Sequence, residues 1–321
     1  MLNTHVGKPP SIESKNRLSA SNETPTRRLR RQEGIALKFI HLTDTHLVPP
    51  GQTLCALDPA LRLQATVESI NRIHGDAQFV VHTGDLSYHG GEPAYHAMAQ
   101  ILAQLRMPYH LLIGNHDDRE TFRRVFPSVP VDDAGFVQYT VDTPVGVFVM
   151  LDSVEDGQEH GVLCEKRLAW LARELQRFHQ RAVFLFMHHP PFDIGIRSLD
   201  ASRLRQAAPL YELLRSHGNV RHLFYGHVHR AIGGSWRGIP ATTLPGTNHQ
   251  VALYMGPDPT LIGSHEASAY GVCLIDEESV AVHFHDPLDE SPRFVLSDPR
   301  SKQAASVGDL VAPPALFDGA L

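Results

Sequence analysis

Five short runs of metal-ligating residues punctuate the chain: Asp44-Thr45-His46, Gly84-Asp85, Gly114-Asn115-His116-Asp117, His188-His189 and Gly226-His227-Val228-His229. Carboxylate, amide oxygen and imidazole are the donors that hard and borderline divalent cations take, and seven such groups suit two ions rather than one. Two cations ~3.5 to 4 Å apart lower the pKa of a shared water, align the resulting hydroxide with a phosphorus and neutralise charge on the surrounding oxygens. No covalent enzyme intermediate is then needed. Two divalent ions, less Asp44, Asp85 and the hydroxide, leave about one positive charge, which complements a phosphodiester monoanion. Each run alone carries little, since a DxH or a GD arises by chance and a GHxH can be two surface histidines.

Their placement lifts them above chance. The apolar runs at 37–42 and 78–82 predict buried strands, with a helix between them from Asp58, an N-cap residue before Pro59, to about Ile73. Its apolar residues are Leu61, Ala65, Val67 and Ile70. The pattern continues with a helix over 93–105, strand 109–113, a short helix near 119–126 and paired strands at 136–142 and 145–151. Helix 165–179, strand 182–187, helix 204–216 and strand 221–225 follow, and beyond Ala231 the pattern is mostly β. Alternation of this kind predicts an α/β fold with helices outside the sheet. Each of the five runs sits at a strand's carboxyl end, where loops converge on one crevice. Gly84 and Gly114 would let the chain turn sharply beside an ion.

Composition bounds the rest. With 321 residues, 42% of them hydrophobic, the chain can bury one large core or a core plus a small appendage. No stretch approaches the ~18 to 20 apolar residues of a membrane span, and the N-terminus has no apolar secretory signal, so the expected location is the cytoplasm and no membrane partner is expected. Cys55, Cys164 and Cys273 are odd in number and far apart, which indicates neither disulfides nor a thiolate metal site. The formal charge is −6, yet residues 1–34 carry seven Lys or Arg against three Glu, which leaves about −10 for the remainder. An acidic body argues against a nucleic-acid partner, because proteins that track a phosphate backbone present a basic face. Residues 1–34 lack hydrophobic periodicity and read as a disordered basic extension.

The segments LTDTHL, HTGDL, GNHDD, FMHHPP, GHVHR and LPGTNHQVA carry a resemblance that covers roughly residues 35–255. They are similar to the metallophosphoesterase, or calcineurin-like, superfamily, and within it to the class III cyclic-nucleotide phosphodiesterases and bacterial glycerophosphodiesterases. The resemblance implies a four-layer αββα sandwich with a dimetal site at the strand ends. It also implies that Asp44, His46 and His229 hold one ion, that Asn115, His188 and His227 hold the other, and that Asp85 bridges them. The domain reading is then a catalytic domain at 35–254, an accessory β segment at 255–290 that contributes to subunit contacts in a homo-oligomer, and a tail at 291–321.

Beside these ligands His116 is the expected proton donor to the leaving oxygen or stabiliser of phosphorane charge, with Asp117 orienting it. His41 and His82 in strands, and His74, His96, His179 and His217 on helices, read as structural or exposed, and His189 before Pro190-Pro191 as a loop-shaping residue. Asn248 and His249 fall in the PGTNHQ segment and are candidates for substrate binding, as are Asn115 and His116. Gly84-Asp85-Leu86-Ser87-Tyr88 also matches the GDxxY pattern of purple acid phosphatases, but those enzymes lack a histidine at the position of His46. His46 is therefore expected as the ligand and Tyr88 as a pocket or packing residue. Nitrogen and oxygen donors admit Fe, Mn, Zn or Co, with Fe and Mn favoured. The expected activity is hydrolysis of a small-molecule phosphodiester by a metal-bridging hydroxide, a cyclic nucleotide ahead of a glycerophosphodiester. A phosphomonoesterase or a non-catalytic metal-binding scaffold is the alternative, and a scaffold has no need of His116.

Overall fold

The structure, a computed structural model, describes residues 37–303. The expected N-terminal extension and the last part of the expected C-terminal tail lie outside the described residues. In chain order the strands are β1 (Leu37–Leu42), β2 (Val80–Thr83), β3 (Tyr109–Leu112), β4 (Tyr139–Thr143), β5 (Gly146–Leu151), β6 (Val183–Met187), β7 (Val220–Phe224), β8 (Ile232–Trp236), β9 (Ile239–Thr243), β10 (Gln250–Val251), β11 (Gly263–Ser264), β12 (Tyr270–Ile275) and β13 (Val280–His285). The helices before residue 218 are α1 (Pro59–Ile73), α2 (Glu92–Leu102), α3 (Arg119–Val125), α4 (Glu165–Arg177), α5 (Arg197–Asp200) and α6 (Ala208–His217). None of the helices among the described residues is long and apolar enough to cross a membrane.

Two large sheets result. One has the order β13-β12-β1-β2-β3 and the other β4-β5-β6-β7-β9-β8, and a small β10-β11 hairpin stands apart from both. Strands β1, β2 and β3 run parallel, as do β5, β6, β7 and β9, so their carboxyl ends form a rim on each sheet. Strands β12 and β13, read in the sequence as part of an accessory segment, hydrogen-bond into the first sheet through β1.

The period-2 alternation of strand side chains explains the layering. In β5, Phe148 and Met150 join the core between the sheets, while Val147, Val149 and Leu151 pack with Trp170 and Leu171 of α4 and Leu210 of α6. Phe39 of β1 meets Phe148, Phe186 and Phe224 of the second sheet edge-on at 5.1–5.8 Å between ring centroids. Both faces of the parallel strands are thus buried, which is why their sequences are continuous apolar runs. Helix α1 begins as expected, with Asp58 accepting from Ala60 N and Leu61 N ahead of Pro59. Its buried face differs from the expected one: Leu63, Val67 and Ile70 are buried, whereas Leu61 is 68% exposed. At 100° per residue Leu61 lies half a turn from Ile70, so both cannot face the sheet.

Candidate metal centre

All seven sequence-predicted ligands meet at the rim shared by the two sheets. Asp44 and His46 follow β1, Asp85 follows β2, Asn115 follows β3, His188 follows β6, and His227 and His229 follow β7. An unbroken path of contacts links them. His46 Nε2 is 2.9 Å from His229 Nε2, and His229 Nε2 is 3.4 Å from Asp44 Oδ1. Asp85 Oδ2 lies 3.4 Å from both His46 Nε2 and His188 Nε2. Asn115 Oδ1 is 3.1 Å from His188 Nε2 and 2.9 Å from His227 Nδ1.

The backbone is bent hard to achieve this. Asp44, His46, Asp85, His227 and His229 all have φ between 47° and 72°. That is the left-handed region, which non-glycine residues occupy at a cost of about 1 to 2 kcal/mol. Gly84 shares the requirement with φ 104°, but Gly114 is small for a different reason: a Cβ there would sit 2.2 Å from Asp85 Oδ1. At Gly226 a Cβ would sit 2.1 Å from Thr43 Oγ1.

Electrostatics and hydrogen bonding assign the protons. Burial pushes the His46 imidazole well below its ordinary value and His227 down to about 3, so both are neutral. Burial opposes charge on Asp85 too, yet His188 and His46 beside it hold its carboxyl well below the usual range. Against the same burial, Asp85 raises its partner His188 to about 9. His188 Nδ1 donates to Thr83 O at 2.9 Å and His229 Nδ1 to His249 O at 2.8 Å, so each directs Nε2 into the cluster. His188 Nε2, His227 Nδ1 and Asn115 Oδ1 form a convergent set of nitrogen and oxygen donors in a buried place. Such a set is stable only with a positive charge among its lone pairs, and the proton on His188 fills that need when no cation does. The donors therefore fit divalent cations of the Mn, Fe, Co and Zn type.

His116 lies beside this cluster, half-buried, with its ring 4.8 Å from that of His46. Its Nδ1 donates to Tyr88 O at 3.0 Å and its ring stacks on Tyr88 at 5.0 Å, which leaves Nε2 as the nitrogen without a partner among the described residues. Asp117 does not orient it. Instead the Asp117 carboxylate accepts from Leu86 N, Ser87 N, Gly114 N and Tyr95 Oη, tying the turns after β2 and β3 together. His189 is held by Ser153 Oγ and Glu159 O through its two nitrogens, in keeping with a loop-shaping role. His249 stands at the cluster, 4.7 Å from His229 ring to ring, and burial lowers its imidazole to about 4. It also lines a cleft of about 400 Å³ with Cys55, Gly263, Ser264 and His265. Asn248 is buried behind it and donates to Leu54 O. Ser202, which no sequence motif marks, lies 2.7 Å from His227 Nε2.

Residues 37–231 match the model of the calcineurin-like phosphoesterases. The chain belongs to that family. As a calcineurin-like phosphoesterase it is a metal-dependent hydrolase of phosphoric esters, with the His and Asp donors of its buried cluster on the matched segment. It is 42% identical over 265 residues to a probable cyclic nucleotide phosphodiesterase of Rhodopseudomonas palustris, covering 82% of this chain and 97% of that protein. It is 31% identical over 223 residues to a probable glycerophosphodiester phosphodiesterase of Arcobacter nitrofigilis, covering 68% and 81%. Its fold is similar to that of a dimetal phosphatase from Danio rerio, with a TM-score of 0.60 at 17% identity over 79% of this chain and 98% of that one.

Proposed function

We propose that this phosphoesterase hydrolyses phosphodiesters through a dinuclear centre and that its substrate is a cyclic nucleotide. The observation that carries the reading is the position of Asp85, whose Oδ2 is equally far, at 3.4 Å, from one imidazole of each donor set. Asp44, His46 and His229 would hold one cation, Asn115, His188 and His227 a second, and Asp85 both. Cations held there supply Lewis-acid stabilisation of phosphoryl oxygens and an acidified water, with iron or manganese the favoured pair. His116, anchored at Nδ1 by Tyr88 O, can carry a proton on Nε2 and pass it to the leaving oxygen. The cleft beside His249 has the size of a small-molecule site and would take the remainder of the substrate. The choice of a cyclic nucleotide rests on the 42% identity to the Rhodopseudomonas protein, and the Arcobacter relative supports glycerophosphodiesters as the second reading. Exposed Leu253, Met255, Leu261 and Ile262 support a homo-oligomer.

Replacing His116 by Ala tests the assignment. Turnover of cyclic AMP should fall by roughly 10² to 10⁴, while an aryl diester, whose nitrophenolate leaves without protonation, should lose far less. Metal content should stay near that of the wild-type protein. Equal losses on both substrates would instead make His116 a stabiliser of phosphorane charge, and loss of an ion would place it among the ligands. Turnover of glycerophosphodiesters without cyclic AMP would select the second reading.

A further inference from the structure

His227 differs from its neighbours in what holds its outer nitrogen. His188 and His229 each donate to a main-chain carbonyl, of Thr83 and His249 respectively. His227 instead places Nδ1 against Asn115 Oδ1 and Nε2 against a side chain, Ser202 Oγ, at 2.7 Å. Ser202 Oγ is also 3.1 Å from Leu199 O. Asn115 Oδ1 and Leu199 O only accept, whereas the Ser202 hydroxyl can give its proton to Leu199 O and accept one from His227 Nε2, so Ser202 is the group that can take the Nε2–H when a cation claims the Nδ1 lone pair. We infer that Ser202 is a positioning residue that holds the His227 ring at Nε2 and accepts the Nε2 proton when a cation is bound, so that the Nδ1 lone pair beside Asn115 is available to it.

The segment carrying Ser202 is built to hold it still. It lies between β6 and α6, just past α5, and Ser202 itself is buried. The Asp200 carboxylate accepts from Ile194 N and Gly195 N, Leu204 N donates to Pro190 O, and Ile196 and Leu199 are buried in the core of the second sheet. A hydroxyl held in that way orients a ligand ring and its proton, a role whose loss typically weakens metal binding by about 10- to 100-fold.

The inference rests on the ligand reading above, and two measurements on the full chain keep the two apart. In the first, metal-free wild-type, Ser202→Ala and Ser202→Thr proteins are titrated with Mn(II) by calorimetry. Ser202→Ala should weaken one binding event about 10- to 100-fold and leave the other in place, while Ser202→Thr, which keeps the hydroxyl, should bind as the wild type does. Two unchanged binding events in Ser202→Ala, or equal weakening in both variants, would overturn the inference. The second measures two-bond ¹⁵N–¹H correlations of the Zn(II)-loaded protein, with His227 assigned through His227→Gln. A His227 Nε2 proton that exchanges slowly with solvent in the wild type and faster in Ser202→Ala supports the role; equal exchange in both, or a proton on Nδ1 in the wild type, refutes it. A His227→Gln protein that binds Mn(II) as the wild type does overturns the ligand reading itself, whatever Ser202→Ala does.

Discussion

At Gly226 the methyl of an alanine would meet two groups that the centre depends on. Its Cβ would lie 2.1 Å from Thr43 Oγ1 and 3.1 Å from Asp44 Oδ2. Thr43 donates to Asp44, and Asp44 in turn accepts from His227 N, so pushing either one displaces a carboxylate and a histidine together. Overpacking of this kind costs about 1 to 3 kcal/mol, and a displacement near 1 Å costs about 10²-fold in rate. Gly226→Ala should therefore remain folded but lose at least ten-fold in diester turnover at saturating Mn(II). Gly234→Ala, where a Cβ meets nothing within 4 Å, is the control and should turn over normally. Near-normal turnover in Gly226→Ala would mean that the strand ends yield more readily than these contacts imply.

Three of the strands carry a buried histidine whose Nε2 meets a threonine hydroxyl: His41 with Thr83, His82 with Thr45 and His222 with Thr242. Burial lowers these imidazoles to about 3, 3 and 4. An unfolded chain protonates them near pH 6.5 and the folded chain does not, so stability is complete above that pH and is lost as pH falls toward 4. Each contributes up to about 1.4 kcal/mol per pH unit within that window. The urea midpoint should drop between pH 7 and pH 5, and His222→Gln should reduce proton uptake on unfolding at pH 5 by about one; an unchanged uptake would show that His222 is already charged in the fold. The strands that hold these histidines were legible as apolar runs, and the seven predicted ligands were legible because each run ends in one. What sequence could not supply was anything decided by a partner distant in the chain. Leu61 lies half a turn from Ile70 and Leu63 nearly in line with it, so helical spacing already favoured Leu63, but which stripe of the helix meets the sheet is settled only by the fold. Strands β12 and β13 could be read, but their pairing with β1 could not. Ser202 stands in a segment with no motif and no periodicity, and it is found only where the fold sets it against His227.

The centre draws Asp44, His46, Asp85 and Asn115 from the rim of one sheet and His188, His227 and His229 from the rim of the other. Cations bound there would join the two sheets, and their binding free energy would add to that of folding. Without them, the centre carries five non-glycine residues with φ between 47° and 72° and little in return. At such a position glycine avoids the clash of a Cβ with the backbone. In metal-free protein His46→Gly should thus be more stable than His46→Ala by roughly 1 kcal/mol, the reverse of the order in an ordinary strand or helix. Scanning calorimetry of both variants in chelator measures it, and a lower melting temperature for His46→Gly would show that the turn after β1 relaxes once the imidazole is gone. The same feature has a meaning over evolutionary time. A lineage released from selection for hydrolysis would find a downhill route at positions 44, 46, 85, 227 and 229, where glycine or asparagine relieves the backbone. Those five positions would drift before the apolar core did, leaving a stable fold whose softened turns record a reaction it no longer performs.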